Sequence, residues 1–161
     1  MKAYIILIIS FLLENSYSLI FHNQNSLFLS CFSLVSIFSV YKLFKENDKK
    51  YFITCFIYGF IYDVTFTGTF FVNALLFLLF GFLISKIYKI FQMNFFNIII
   101  VTLCLIILYR LGSYFIYIST FHKSFNYILL LKSFYSSIII NIVYVSLLNF
   151  VVSKFIKKRK Y

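Results

Sequence analysis

Six apolar runs follow one another along the chain, at residues 3–20, 27–43, 51–66, 70–87, 95–117 and 134–156. Each is close to the roughly 20 residues that an α-helix needs to cross about 30 Å of hydrocarbon. In lipid the backbone must satisfy its own N–H and C=O groups, so a spanning segment is a helix or part of a closed barrel. The runs lack the strict polar–apolar alternation of barrel strands, which leaves helices. Composition agrees. The chain is 63% hydrophobic and only 12% charged, too few polar side chains to coat a water-soluble globule. The expectation is an all-α integral membrane protein: one transmembrane domain over residues 1–161, built as a bundle of six transmembrane helices. The third and fourth runs are short and joined by the tight TFTGT turn, so they should form a helical hairpin. No repeat is visible, and the loops are too short to hold a soluble domain.

Charge gives the orientation. With the N-terminus inside, twelve of the 15 Lys and Arg residues fall in cytoplasmic segments. Only Lys123 and Lys132 fall in outer loops, and Arg110 lies within the fifth run. The positive-inside rule therefore predicts that both termini are cytoplasmic. The same clustering at the ends of apolar runs accounts for the net charge of +11, and no nucleic-acid partner is expected. The tail KFIKKRKY reads as a topology anchor that can also attract anionic membrane lipid. The first run has the outline of a signal peptide, with Lys2 ahead of AYIILIISFLL. Glu14 directly after that core and bulky Tyr17 at the cleavage position argue against cleavage.

Chemistry-bearing clusters are scarce. Cys31, Cys55 and Cys104 lie far apart inside apolar runs, without metal-ligand spacing, and read as small apolar fillers. His22 and His122 lie in the first and last outer loops with no third ligand beside them. No nucleophile with a nearby base, phosphate loop or pair of acids is evident. No catalytic residue, cofactor or metal is expected, and the chain does not read as an enzyme.

Three charges inside the runs stand out. Glu14 lies 11 residues past Ala3, Asp63 12 past Tyr51 and Arg110 15 past Phe95. At about 1.5 Å per residue these are roughly 16, 18 and 22 Å into the bilayer from the same side. A charge at the centre of a membrane helix costs about 2.5–3.5 kcal/mol on insertion scales, less if it faces inward and is paired. One guanidinium can satisfy two carboxylates. Arg110 is therefore expected to pair with Asp63, with Glu14 as the alternative or second partner. Small and polar residues indicate the inward faces: Gly59 with Asp63; Asn73, Gly81 and Ser85; Ser137, Asn141 and Tyr144.

The stretch GFIYDVTFTGTFFVNALLFLLFGFLISK, residues 59–86, resembles the rod shape-determining MreD family. That family's signature is Gly-Φ-Φ-Φ-Asp ending one helix, a small-residue turn, and an apolar helix carrying Gly. Gly59 and Asp63 match the first part and Gly68 the turn; Asn73-Ala74-Leu75 and Gly81 match the next helix. ENSYSLIF resembles Gram-positive members, which often carry an acidic residue in the first span; with the Ile-, Phe-, Lys- and Asn-rich usage, a low-GC bacterial host is expected. Two positions depart from the pattern. Asn25-Ser26-Leu27 stands where Pro-Asp-Leu is common, and Phe71 stands near a frequent second Gly.

The resemblance implies a non-enzymatic scaffold of the bacterial elongation machinery in the cytoplasmic membrane. It would sit with MreC and link MreB filaments to peptidoglycan synthesis by RodA and a class B penicillin-binding protein. It also implies a fold similar to the substrate-binding subunits of energy-coupling-factor vitamin transporters. Such a subunit is the alternative function, with Glu14, Asp63, Asn73, Arg110 and His122 around an outer pocket; the absence of an Ala-rich docking face weighs against it, and no small-molecule ligand is expected. By resemblance Asp63 is the motif Asp and should hold the hairpin that shapes the partner-binding face. Glu14, Gly59, Asp63, Gly68, Asn73, Gly81 and Arg110 are the candidate structural and partner-positioning residues.

Overall fold

A computed structural model describes residues 2–21, 30–44, 47–67, 70–121 and 127–157. Gly68, His22 and His122 lie outside the described residues, as does the 25–27 segment. Six α-helices are described: α1 (Lys2–Phe21), α2 (Phe32–Val40), α3 (Asp48–Tyr62), α4 (Val72–Ile90), α5 (Phe95–Phe121) and α6 (Tyr127–Lys157). No strand occurs among the described residues. A 3₁₀ turn, Tyr41–Phe44, prolongs α2, and a π-helical turn, Asp63–Thr67, prolongs α3.

Polarity is inverted relative to a water-soluble bundle. Large apolar side chains such as Ile8, Leu79, Phe96, Ile139 and Leu147 are exposed, while Ser10, Glu14, Asp63, Asn73, Ser85, Thr102, Ser137 and Asn141 are buried. A surface facing hydrocarbon tails needs no polar coat, and polar groups in lipid go where partners are. Among the described residues four helices are long and apolar enough to cross a membrane: Lys2–Leu19, Val72–Ile90, Phe95–Ile116 and Ser137–Ile156. The α3 helix has 15 residues, to which the π turn adds 5. Its charged start, DKK, keeps its mean hydropathy low.

The second expected span differs most. Phe32–Phe44 is a short apolar helix, about 20 Å at the rises of α- and 3₁₀-helices. It does not meet lipid with its flanks, because all nine residues of α2 are buried. The helices α1, α4, α5 and α6 pack around it, and α3 reaches it through the Tyr51 hydroxyl, which donates to the Ile37 carbonyl at 3.1 Å. Buried on every side, α2 is a core helix. Its serines are small enough to let neighbours close in. Ser36 and Ser39 satisfy their hydroxyls on the Ser33 and Val35 carbonyls.

The expected hairpin is present: α3 packs most extensively against α4. The inward faces read from the sequence are inward. Gly59, Asp63, Asn73, Gly81, Ser85, Ser137, Asn141 and Tyr144 are all buried.

Candidate functional site: two helix ends capped from neighbouring helices

A helix N-terminus leaves its first N–H groups without intrahelical partners, and in lipid no water supplies them. At α4 the residue in the N-cap position is Phe71, which has no side chain able to cap and holds a left-handed φ of 60°. Asp63 supplies the cap from the preceding helix. Its Oδ1 accepts the Asn73 backbone N–H at 3.0 Å, the Asn73 Nδ2 at 2.9 Å and the Thr67 hydroxyl at 3.2 Å. Its Oδ2 accepts the Ala74 N–H at 3.0 Å. The carboxylate also faces the positive end of the α4 dipole. Asp63 itself has 0% exposure.

Gly59 stands one helical turn before Asp63. A Cβ at this position would lie 2.5 Å from the Asn73 carbonyl oxygen and 2.7 Å from the Ala74 Cα, both backbone atoms. The missing side chain lets the first turn of α4 rest on α3, and the carboxylate four residues later then reaches that same turn. The Gly-Φ-Φ-Φ-Asp spacing thus has a mechanical meaning: approach, then cap. Asn73 passes the connection on, its Oδ1 accepting the Tyr109 hydroxyl of α5 at 3.0 Å. Further along, a Cβ at Gly81 would meet Cys55 Sγ at 2.9 Å, so α3 and α4 stay close there too.

The opposite end of the hairpin is fastened by a second carboxylate. Asp48 accepts hydrogen bonds from the Tyr41 hydroxyl at 2.9 Å and the Ser85 hydroxyl at 3.1 Å, and forms an ion pair with Lys89. The hydrogen bond from Lys89 holds this carboxyl below the usual carboxylate range. Asn47, just before α3, caps it by accepting the Lys50 N–H.

Glu14 repeats the capping device at α2. Its Oε2 accepts the Ser33 N–H, in the first turn of α2, at 2.8 Å, and its Oε1 accepts the Tyr62 hydroxyl of α3 at 3.2 Å. Asn141 on α6 caps the same end, its Oδ1 accepting the Cys31 N–H at 3.0 Å. Arg110 closes the cluster from α5. Its Nε donates to the Ser137 hydroxyl at 3.1 Å and its Nη2 to the Ser30 carbonyl at 3.3 Å. Glu14 and Arg110 thus converge on the start of α2, one on the Ser33 N–H and the other on the Ser30 carbonyl three residues earlier.

The expected Arg110–Asp63 pair is therefore not formed, and Glu14 is Arg110's electrostatic neighbour without a direct hydrogen bond. Fixed backbone N–H groups at hydrogen-bonding distance solvate a carboxylate without ordering a long side chain, so the caps win over the guanidinium. Sequence reasoning also passed over Tyr58 and named Tyr144 only as an inward-facing residue, and both strap helices together. Tyr58 donates to the Leu7 carbonyl at 2.9 Å, and Tyr144 to the Ser10 hydroxyl at 2.6 Å. Their helical spacing on inward faces was the available signal. Among the described residues no group of three or more His, Cys, Asp and Glu is placed to hold a metal. Both intramembrane carboxylates are occupied in joining helices.

A family model described as rod shape-determining protein MreD matches residues 1–159 of the 161. No curated protein and no solved structure matches the chain.

Proposed function

The chain belongs to the rod shape-determining MreD family, and on that premise we propose that it is a non-catalytic scaffold linking the cell-shape machinery across the bacterial cytoplasmic membrane. Membership gives it a role in rod-shape determination, as a multi-pass membrane protein. The finer reading is that it sits with MreC, connects MreB inside to RodA and a class B penicillin-binding protein outside, and keeps both termini cytoplasmic.

One observation carries the scaffold reading: the intramembrane carboxylates bind helix ends. Asp63 gives its oxygens to the first turn of α4, and Glu14 gives its own to α2 and Tyr62. Such groups make the bundle rigid; they are not poised to move protons or attack a substrate. The α3–α4 hairpin that Asp63 locks turns an aromatic face outward, with Phe60, Phe70 and Phe71 exposed at 36%, 84% and 47%. Aromatic surface of this kind suits a partner's transmembrane helix, and we assign the partner contact to it.

The test is a tagged pull-down from gently cross-linked native membranes, read by mass spectrometry. Recovery of MreC, RodA and the penicillin-binding protein is expected. Replacing Phe60 and Phe70 with Ala should reduce that recovery while the protein stays in the membrane. Recovery of none of the three, from membranes that contain them, overturns the proposal.

A further inference from the structure

A groove of about 490 Å³ runs between α1 and α3 on the outside of the bundle. Ile8, Phe11 and Leu12 line one wall and Ile53, Ile57 and Ile61 the other, with Tyr4 and Lys50 at one end. We propose that this groove holds an acyl chain of an anionic phospholipid, with the lipid phosphate on Lys50.

The groove is lined mostly by carbon. Two of its polar side chains, Thr54 and Tyr58, have already spent their hydroxyls on the Lys50 and Leu7 carbonyls. What remains along the walls is carbon, which selects an apolar occupant. From Lys50 to Ile61 the groove spans 11 residues of α3, about 16 Å at 1.5 Å per residue. That is about the depth of one leaflet, half of the roughly 30 Å hydrocarbon core, so a single acyl chain fits along it.

Lys50 gives the charge. Five other lysines are engaged: Lys2, Lys42, Lys86 and Lys154 lie over the rings of Phe155, Tyr88, Phe82 and Phe150, and Lys89 pairs with Asp48. Among the described residues the ammonium groups of Lys49 and Lys50 have neither kind of partner, and of the two Lys50 lines the groove. It stands in the first turn of α3, beside Tyr4 in the first turn of α1, at the level where a headgroup meets water if α1 and α3 both enter from the same face. A free cation at the mouth of an apolar slot is complementary to a lipid phosphate above its own acyl chain.

The chain contains no Trp, so one introduced indole reports alone. Ile57→Trp and Ile61→Trp place it in the groove; Leu147→Trp on α6, where the native residue is 61% exposed, faces bulk lipid. Each variant is reconstituted in phosphatidylcholine nanodiscs containing a small fraction of brominated phosphatidylglycerol or, separately, brominated phosphatidylcholine. The comparison between the two quenchers at one position cancels depth. Stronger quenching by phosphatidylglycerol is expected at the groove positions, corresponding to roughly fivefold local enrichment by one interfacial lysine. Equal quenching is expected at Leu147→Trp. Adding Lys50→Gln should abolish the excess in the groove and leave Leu147→Trp unchanged. An indole at 57 that fills the groove would exclude lipid, which is why Ile61→Trp is read as well. Equal quenching by both lipids at both groove positions overturns the proposal, as does no quenching by either. An excess that survives Lys50→Gln overturns the placing of the phosphate.

Discussion

Asp63 and Glu14 do the same job at two places, and the contrast lies in where their partners come from. Asp63 caps a helix that begins nine residues later in the same hairpin, so its partners are local. Glu14 caps a helix first and then reaches α3, in a cluster that α5 and α6 complete through Arg110, Asn141 and Ser137. The first site is a motif that a short sequence can specify. The second exists only when five helices have assembled. The local cap should therefore govern whether the hairpin forms, and the distributed one whether the bundle closes around α2.

The sharpest way to break the local site is at Gly59. An added Cβ there meets backbone, which cannot swing aside as a side chain can. Gly59→Ala should destabilise the protein by about 3 kcal/mol or more, the upper end of overpacking effects. At Gly81 the added Cβ meets a Cys55 side chain instead, so Gly81→Ala should cost about 1–2 kcal/mol. At Gly112 the nearest atom, on Leu76, is 3.8 Å away, and alanine should be close to neutral. Thermal unfolding of the three purified variants in detergent checks the order. A Gly59→Ala variant as stable as Gly112→Ala would mean that α3 and α4 do not touch there.

Next in size is removal of the carboxylate. Asp63→Ala leaves the Asn73 and Ala74 N–H groups without their acceptor. Each orphaned buried group costs about 1–3 kcal/mol, so a loss of about 2–5 kcal/mol and less folded protein in membranes are expected. Asp63→Asn keeps one acceptor oxygen and should lose about half of that or less. Equal loss in the two variants would show that charge facing the α4 dipole, and not hydrogen bonding, is the larger part.

A smaller effect separates the two sites more cleanly. Double-mutant cycles compare Asp63→Ala with Arg110→Ala, and Glu14→Ala with Arg110→Ala. Asp63 and Arg110 share no bond, so their effects should add to within about 0.5 kcal/mol. Glu14 and Arg110 act on each other across α2, so their cycle should show a coupling of about 0.5–2 kcal/mol. A strong Asp63–Arg110 coupling would restore the pair that depth alone suggested.

That pair shows what a sequence of this kind hides. Run length and period gave the helices, the hairpin and the inward faces, because lipid forces all three. Depth along a helix axis follows from counting, but rotation about the axis does not, so three charges at similar depth were read as one cluster when they serve two. The apolar run of α2 was equally ambiguous. Leu and Ile serve alike against lipid and against protein, and only the serines at 33, 36 and 39, spaced by three, hinted at a helix surrounded by others. Gly59 and Asp63 were found because their roles are local and their residue types have few substitutes. The Tyr58 strap was missed, and Tyr144 was read only as inward-facing, because tyrosine is common here, 14 residues in all, and most positions look alike.

The mildest prediction concerns the place where the sequence departs from the family signature. Phe71 stands near a position where glycine is frequent, and its φ of 60° is the left-handed conformation that glycine adopts without strain. A β-carbon there costs roughly 1–2 kcal/mol. Part of this is returned by stacking: the Phe71 ring lies 5.3 Å from Phe60 and 6.2 Å from Phe56, centroid to centroid, and such pairs contribute about 0.5–1.5 kcal/mol each. The two effects nearly cancel, so Phe71→Gly should change stability by less than about 1 kcal/mol. Stability and partner recovery then separate two roles for the ring. If the ring only compensates its own backbone strain, Phe71→Gly leaves both unchanged. If it belongs to the partner face, unfolding is unchanged while recovery of MreC falls, and the Asp63 cap holds the hairpin in shape around a surface that has lost one of its contacts.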